Sequence, residues 1–188
     1  MLSIESSLTF DEYLRDKRTV NDLEKWIYSN GQLENELPAD IYSDLISLNY
    51  SDKDVKNKIT QTIETHIDYS SVHKKRIIDL VDLLLNKEGD VERLLYEIYS
   101  LAELGYHFIG RIDTIGNLGE QGKSILHIIS KLTEQEKWDK LLLIEPAFLN
   151  DIREMKSKLL NGDIEITGQY DTGSYGQRYF GFTERTKK

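Results

Sequence analysis

Signals for the start and the end of helices recur along this chain from Thr9 to Gly162. Residues that cap helix N-termini precede apolar side chains spaced three and four apart, and Gly, Asn or Pro follows several of these runs. A short segment rich in Gly, Tyr and Phe comes after Gly162. We therefore predict a mainly α-helical fold, either a multi-helix bundle or an array of antiparallel helix pairs, followed by a different C-terminal element.

Specific capping residues mark several of the helix starts. Thr9 with Glu12, and Thr133 with Glu136, have the spacing of a capping box, in which two side chains satisfy each other's free backbone N–H groups. The last helix is expected to end before Gly162, because glycine adopts the left-handed conformation with little strain. Further N-caps are expected at Thr19, Ser51, Ser70 or Ser71, and Asp90.

The segment after residue 162 has the pattern of a small β-hairpin. Residues 164–167 alternate between apolar and polar, residues 179–182 are aromatic, and the turn formers Asp171 and Gly173 lie between them. We predict an acidic helical body over residues 1–162, with a weak boundary near residues 68–72. The hairpin over residues 163–183 is expected to pack on this body, and residues 184–188 form a tail.

Composition excludes several classes of protein. The 188 residues are 39% hydrophobic and 30% charged, which suits a globular domain, and they include no cysteine. Disulfides, thiolate metal sites and cysteine nucleophiles are therefore excluded. No apolar run approaches the length of a membrane-spanning helix, and the N-terminus lacks the features of a signal peptide. We expect a cytoplasmic protein.

Negative charge is concentrated at the N-terminal end. The net charge is −9, and the first fifty residues hold ten acids against four basic residues. An acidic surface repels nucleic-acid phosphates and attracts basic proteins. We therefore expect a protein partner, with solubility alone as the alternative explanation. The candidate electrostatic contacts are Asp11, Asp16, Glu24, Glu34, Glu36, Asp40 and Asp44.

The hairpin supplies candidate anchors for the same partner. Tyrosine and arginine are favoured at the centres of protein interfaces, because they combine a large contact area with polar groups. The candidates are Tyr170, Tyr175, Arg178 and Tyr179. The alternative is that these aromatic side chains cover the end of the helical body, and one face of the hairpin can pack while the other binds.

A glycine-rich segment, residues 116–124, offers an alternative function. A phosphate loop needs two glycines five positions apart before its Lys and Ser, and the residue five before Gly122 is Asn117. The free N–H groups at a helix start can still hold an anion. Gly122, Lys123 and Ser124 are thus candidate anion-binding residues of a nucleotide-dependent enzyme or regulator. A thermal-shift screen with nucleotides and Mg²⁺ tests this alternative.

The chain shows no pattern for metal binding or catalysis. Its four histidines do not pair at i, i+4 spacing, and no cysteine is present to complete a zinc site. His66 and His73 are expected in a solvated connection, and His127 in the core or at its boundary. No nucleophile and base occur together in a recognisable motif, so we predict no catalytic residue, no metal and no cofactor.

Two segments carry a resemblance to a known group of proteins. DLEKWIYSN (residues 22–30) and DIYSDLISLNY (residues 40–50) resemble segments of small cytosolic proteins encoded beside bacterial polymorphic toxins, that is, immunity proteins. The resemblance covers the first quarter of the chain. It implies a stoichiometric inhibitor that masks a toxin domain and has no catalysis of its own, so no catalytic residues carry over.

Overall fold

The computed structural model of this chain describes residues 1–112, 129–174 and 177–185. These residues form a mainly α-helical fold with one two-stranded antiparallel sheet near the C-terminus, which confirms the predicted fold class. The chain divides into two compact units, Met1–Val72 and His73–Lys188. The division falls inside the helix Tyr69–Asn86. None of the described helices combines the length and the apolar composition needed to cross a bilayer.

The first unit is built from short amphipathic helices. They are α1 (Ile4–Leu14), α2 (Val20–Ser29), α3 (Leu33–Glu36), α4 (Ala39–Ser47) and α5 (Val55–Ile63), followed by a 3-10 turn (Glu64–His66) and the start of α6 (Tyr69–Asn86). Their apolar positions are fully buried at Phe10, Leu23, Leu45 and Ile59. Burying one such side chain contributes about 1.5–3 kcal/mol, so the core rather than helix propensity holds these short helices.

The N-terminal caps of this unit agree only in part with prediction. Ser3 caps α1, since its hydroxyl accepts a hydrogen bond from the Ser6 N–H at 3.2 Å. Thr9 lies inside α1 and its hydroxyl donates to a backbone carbonyl one turn earlier at 3.1 Å, so the predicted capping box at Thr9 is wrong. Thr19 caps α2 as predicted, accepting from the Asp22 N–H at 3.2 Å.

Aspartates, rather than the predicted serines, precede α5 and α6. Asp54 is the residue before α5, which therefore begins later than a cap at Ser51 would allow. At the start of α6, Asp68 accepts hydrogen bonds from the N–H groups of Ser70 and Ser71 at 3.1 and 3.2 Å, and from both hydroxyls at 2.6 Å. Partial burial by itself would raise the pKa of Asp68, but these four hydrogen bonds lower it overall.

In the described ranges, the second unit contains the rest of α6 and four further helices, and three of these have an end that matches the prediction. They are α7 (Val91–Glu103), α8 (His107–Gly110), α9 (Glu134–Ile144) and α10 (Phe148–Asn161). Asp90 caps α7, accepting from the Arg93 N–H at 2.8 Å. Thr133 and Glu136 form the predicted capping box, and Gly162 ends α10 in the left-handed conformation at φ 74°.

A buried cation joins α7 to α9. Lys137 is 7% exposed, and its Nζ lies 2.7 Å from carboxylate oxygens of both Glu92 and Glu134. The other oxygen of Glu134 accepts the Val91 N–H at 3.1 Å. The hydrogen bonds to Glu134 and Glu92 raise the pKa of Lys137, which keeps the amine charged.

The predicted β-hairpin is confirmed. It pairs β1 (Ile164–Thr172) with β2 (Arg178–Glu184), and Ile166 lies opposite Phe182. Tyr170 lies opposite Phe180, so residues 167–169 of β1 face Gly181 alone and form a bulge. The bulge bends β1 and shifts the register of the distal part of the hairpin.

The close approach of β2 to the end of α7 requires a glycine. The Phe180 N–H donates to the Leu104 carbonyl at 2.6 Å, and the next residue, Gly105, has φ 111°. A Cβ atom on Gly105 would lie 2.6 Å from the Phe180 carbonyl oxygen, closer than real Cβ contacts come. The ring of Phe180 is 6% exposed and lies 4.4 Å from the ring of His73. Gly105 therefore permits the hairpin to pack on the helices of its own unit.

Candidate protein-binding surfaces

Three acids of α3 and α4 are exposed and have no counter-charge among the described residues. Asp40 and Asp44 are exposed and are one helical turn apart on α4, and Glu34 is exposed on α3. In the part of the chain that the structure describes, no ion pair or hydrogen bond involves these three carboxylates. Between residues 19 and 50 the sequence has six acids and a single basic residue, Lys25. We call Glu24, Tyr28, Glu34, Asp40, Asp44 and Ile46 the α2–α4 surface.

Asp11 and Asp16, two other predicted contacts, are engaged within the first unit. Asp11 is 3% exposed and accepts a hydrogen bond from Arg15 at 2.8 Å, so the expectation that it lies on an open surface is corrected. Its position follows from the start of α1 at Ile4, which turns this residue toward the core. Asp16 is exposed but pairs with Lys56 at 2.6 Å.

Glu36 is committed to the N-terminal segment. Its carboxylate accepts the Ser3 N–H at 3.2 Å, and its backbone carbonyl accepts the amino group of Met1, also at 3.2 Å. Partial burial would raise the pKa of Glu36, but hydrogen bonds with Ser6 and Ser3 lower it overall. Of the seven predicted acids, Glu34, Asp40 and Asp44 are exposed and make no such contact within the described ranges, and Glu24 is half-buried on α2.

Two exposed apolar side chains of the α2–α4 surface were not predicted from the sequence. Tyr28 on α2 is 58% exposed and Ile46 on α4 is 37% exposed. The Tyr28 hydroxyl donates to the Ile46 carbonyl at 3.0 Å, and its ring lies 6.2 Å from the ring of Tyr50. Burial raises the pKa of Tyr50, and the charges of Tyr28, Glu24 and Tyr13 raise it further. The i, i+4 spacing of Glu24 and Tyr28 was the only sequence signal for this arrangement.

The hairpin brings two of its predicted contacts together and separates the third. The guanidinium of Arg178 lies 4.8 Å from the centre of the Tyr170 ring, which in turn lies 5.3 Å from Phe180. Tyr179 projects from the opposite face, since neighbouring residues on a strand alternate, and its hydroxyl accepts from Gln177 at 2.9 Å. Tyr175 lies outside the described residues. The predicted cluster is therefore a Tyr170–Arg178 pair on one face and Tyr179 on the other.

The remaining candidate groups are the histidines, possible metal ligands and the glycine-rich segment. His73 is 2% exposed and its Nδ1 lies 2.6 Å from the Tyr106 hydroxyl, so the prediction that His73 is solvated is wrong. No group of three or more His, Asp or Glu side chains that could hold a metal ion occurs in the described ranges. The candidate anion-binding residues Gly122, Lys123 and Ser124 lie outside those ranges and stay a prediction.

Comparison with protein families, with curated proteins and with solved structures gives no match. The two surfaces are therefore interpreted from their own chemistry. The α2–α4 surface combines uncompensated negative charge with exposed apolar side chains, whereas the hairpin presents an arginine already stacked on a tyrosine.

Proposed function

We propose that this protein is a non-catalytic inhibitor that binds a basic protein domain, as immunity proteins do when they mask bacterial toxins. The observation that carries the proposal is the exposure of Glu34, Asp40 and Asp44 without an internal cation in the described residues. Like charges at i, i+4 destabilise a helix by a few tenths of a kcal/mol, or about 0.2–0.5 kcal/mol. Lys or Arg side chains of a partner offset this repulsion.

The same charges favour rapid capture. Complementary potentials on two proteins steer diffusional encounter, and the gain in association rate falls as salt screens the charges. An inhibitor that must reach its target before damage occurs benefits from this acceleration. The surface selects basic proteins over nucleic acids, because phosphates are repelled by the same carboxylates.

The hairpin is proposed as a second contact region. Tyr170, Arg178 and Tyr179 supply the residue types that dominate binding energy at interfaces, and Tyr175 belongs to the same predicted set. The stacking of Arg178 on Tyr170 orders both side chains before a partner arrives, which lowers the entropy that binding must overcome. Its role is to slow dissociation, whereas that of the acids is to accelerate association.

The test begins with the product of the adjacent gene in the source organism. Both proteins are co-expressed, and the complex is isolated by affinity capture of this chain. The two proteins are then purified separately, and their association rate is measured by stopped-flow mixing. In the triple variant Glu34→Lys, Asp40→Lys, Asp44→Lys we expect the association rate at low salt to fall at least tenfold. The salt dependence of the rate should also weaken.

A matched control reverses three exposed acids of the second unit, Glu88→Lys, Glu103→Lys and Asp139→Lys. This variant has the same net charge as the first, so a general charge effect would slow both equally. We expect the control to associate within about threefold of the unmodified protein. Equal slowing of the two variants, or binding that neither change affects, would remove the basis for assigning the interface to the α2–α4 surface.

A further inference from the structure

Tyr28 is exposed but conformationally fixed. Its ring is 58% exposed, yet its hydroxyl is bound to the Ile46 carbonyl at 3.0 Å and its ring packs edge-on near Tyr50. Tyr50 is itself held, because it is 6% exposed and its hydroxyl donates to the Leu45 carbonyl at 2.8 Å. The orientation of the Tyr28 ring is therefore set by two contacts to elements of its own unit.

Such a side chain is well suited to anchor a partner. Ordering a flexible side chain on binding costs about 0.5–1.5 kcal/mol, and a ring that is already ordered avoids most of that cost. Tyrosine also offers a large apolar area with only two rotatable bonds. Next to it, Ile46 adds a second exposed apolar side chain. Together they form a small exposed apolar patch with Glu24 one turn before Tyr28, whereas helical periodicity places Asp44 on the other flank of α4.

The hydrogen bond between the Tyr28 hydroxyl and the Ile46 carbonyl does not explain why the Tyr28 ring is exposed to water. The Tyr28 hydroxyl satisfies a carbonyl in the last turn of α4, a group that has no partner within the helix. This contact explains why the hydroxyl is placed where it is. It leaves more than half of an aromatic side chain in water, where exposure of apolar area is unfavourable.

We infer that Tyr28 and Ile46 are the apolar anchor of the α2–α4 surface, and that they insert into an apolar socket rimmed by Lys or Arg on a basic partner protein. The inference rests on the proposed function and names the part of the surface that sets residence time. Glu24 lies one turn before Tyr28 on α2, so a cation at the rim of the socket meets a carboxylate beside the ring. A second copy of this chain does not fit, because a two-fold contact through this surface would face acids with acids.

The experiment measures association and dissociation rates of the purified adjacent-gene product with four forms of this protein. These are the unmodified chain, Tyr28→Ala, Tyr28→Phe and Tyr96→Ala. Tyr96 is a matched control, because it is 53% exposed on α7 beside the ion pair of Arg93 and Glu97. Tyr28→Phe keeps the ring and removes the hydroxyl, so it separates the anchor from the hydrogen bond. Circular dichroism verifies that each variant is folded.

We expect Tyr28→Ala to raise the dissociation rate at least tenfold and to leave the association rate within twofold. Tyr28→Phe should dissociate within threefold of the unmodified chain, and Tyr96→Ala should be unchanged. If the unmodified chain binds and the acid reversal slows association, but Tyr28→Ala dissociates normally, this inference is overturned and the proposed function stands. If the unmodified chain does not bind the adjacent-gene product, the proposed function itself fails and the inference fails with it.

Discussion

Helices α4 and α7 carry charged side chains at the same four-residue spacing and use it in opposite ways. On α7, Arg93 donates to Glu97 at 2.9 Å. On α4, Asp40 and Asp44 repeat one charge, and neither has an ion pair within the described ranges. The first arrangement stabilises its helix by about 0.2–0.5 kcal/mol and the second destabilises by a similar amount. Charge that is not neutralised within the fold remains available to a partner.

The contrast extends from these helices to their surroundings. In the second unit, Lys137 is held by two carboxylates, Arg111 pairs with Glu184 at 2.7 Å, and Lys156 pairs with Asp82. The α2–α4 surface has exposed acids and exposed apolar side chains instead. Several charges of the second unit therefore connect its own elements, whereas three acids of the α2–α4 surface have no ion pair among the described residues.

The largest effect is expected from a substitution that disturbs the packing of β2 against the end of α7 in the second unit. We expect Gly105→Ala to lower the free energy of unfolding by about 3 kcal/mol, because it adds backbone strain and a clash with the Phe180 carbonyl. Urea denaturation measures the change. Gly31→Ala in the first unit is the control, since a Cβ there meets nothing within 4 Å and the φ angle is ordinary, and it should change stability by less than about 0.5 kcal/mol. Equal changes would contradict the steric explanation.

A smaller effect is expected from removing the buried cation. Lys137→Met leaves Glu92 and Glu134 without their shared partner, and we expect a loss of about 2 kcal/mol of unfolding free energy. The control is Lys158→Met, because the ion pair of Lys158 with Glu154 at 2.7 Å is solvent-exposed and should contribute less than about 0.5 kcal/mol. Similar losses for the two variants would show that burial does not distinguish these ion pairs.

The cap of α6 gives a pH-dependent effect of intermediate size. Because the folded-state pKa of Asp68 is below its unfolded value, its stabilisation is complete above the unfolded pKa and is lost as the pH falls through the folded pKa. We expect Asp68→Ala to cost about 1 kcal/mol at pH 7 and progressively less as the solution is acidified below pH of about 4. Urea titrations of both proteins at several pH values measure this difference. A cost that does not change with pH would contradict a role for the ionised carboxylate.

The smallest effect tests the comparison of α4 with α7 directly. Asp44→Lys places a cation one turn after Asp40 and near the C-terminus of α4, and we expect a gain of about 0.5 kcal/mol. Arg93→Ala removes the existing pair on α7 and should cost about 0.3 kcal/mol. Thermal midpoints of the two variants should therefore move in opposite directions. Shifts of the same sign would show that spacing and charge do not determine these contributions.

Helix ends were predictable where the cap and its acceptor lie within a few residues. The box of Thr133 and Glu136 and the left-handed Gly162 are of this kind, because their hydrogen bonds and conformations are local. The N-cap of α1 was wrongly predicted at Thr9 because Ser3 precedes the same apolar run. A local pattern does not decide which of two capping residues begins the helix. The choice depends on which register buries Phe10, which is 0% exposed, and that is a property of the whole core.

The exposed acids of the α2–α4 surface were predictable from the sequence, whereas its exposed apolar side chains were not. Asp40 and Asp44 lie away from the buried Leu45 around α4, so their exposure follows from helical periodicity. The position of Tyr28 depends on Ile46 and Tyr50, which lie 18 and 22 residues further along the chain. Such contacts are set by packing between helices, and no periodicity within α2 contains them.

The hydrogen bond between Phe180 and Leu104 has a consequence for how the second unit folds. It joins residues 76 positions apart (180 minus 104), and closing a flexible loop of that length costs about 4 kcal/mol of chain entropy. The chain loses this entropy before the contacts of the hairpin can stabilise the fold. We therefore expect the hairpin to dock after the rate-limiting step of folding. Interactions formed that late act mainly on the rate of unfolding. Gly105 therefore governs how long the folded second unit lasts more than how quickly it forms.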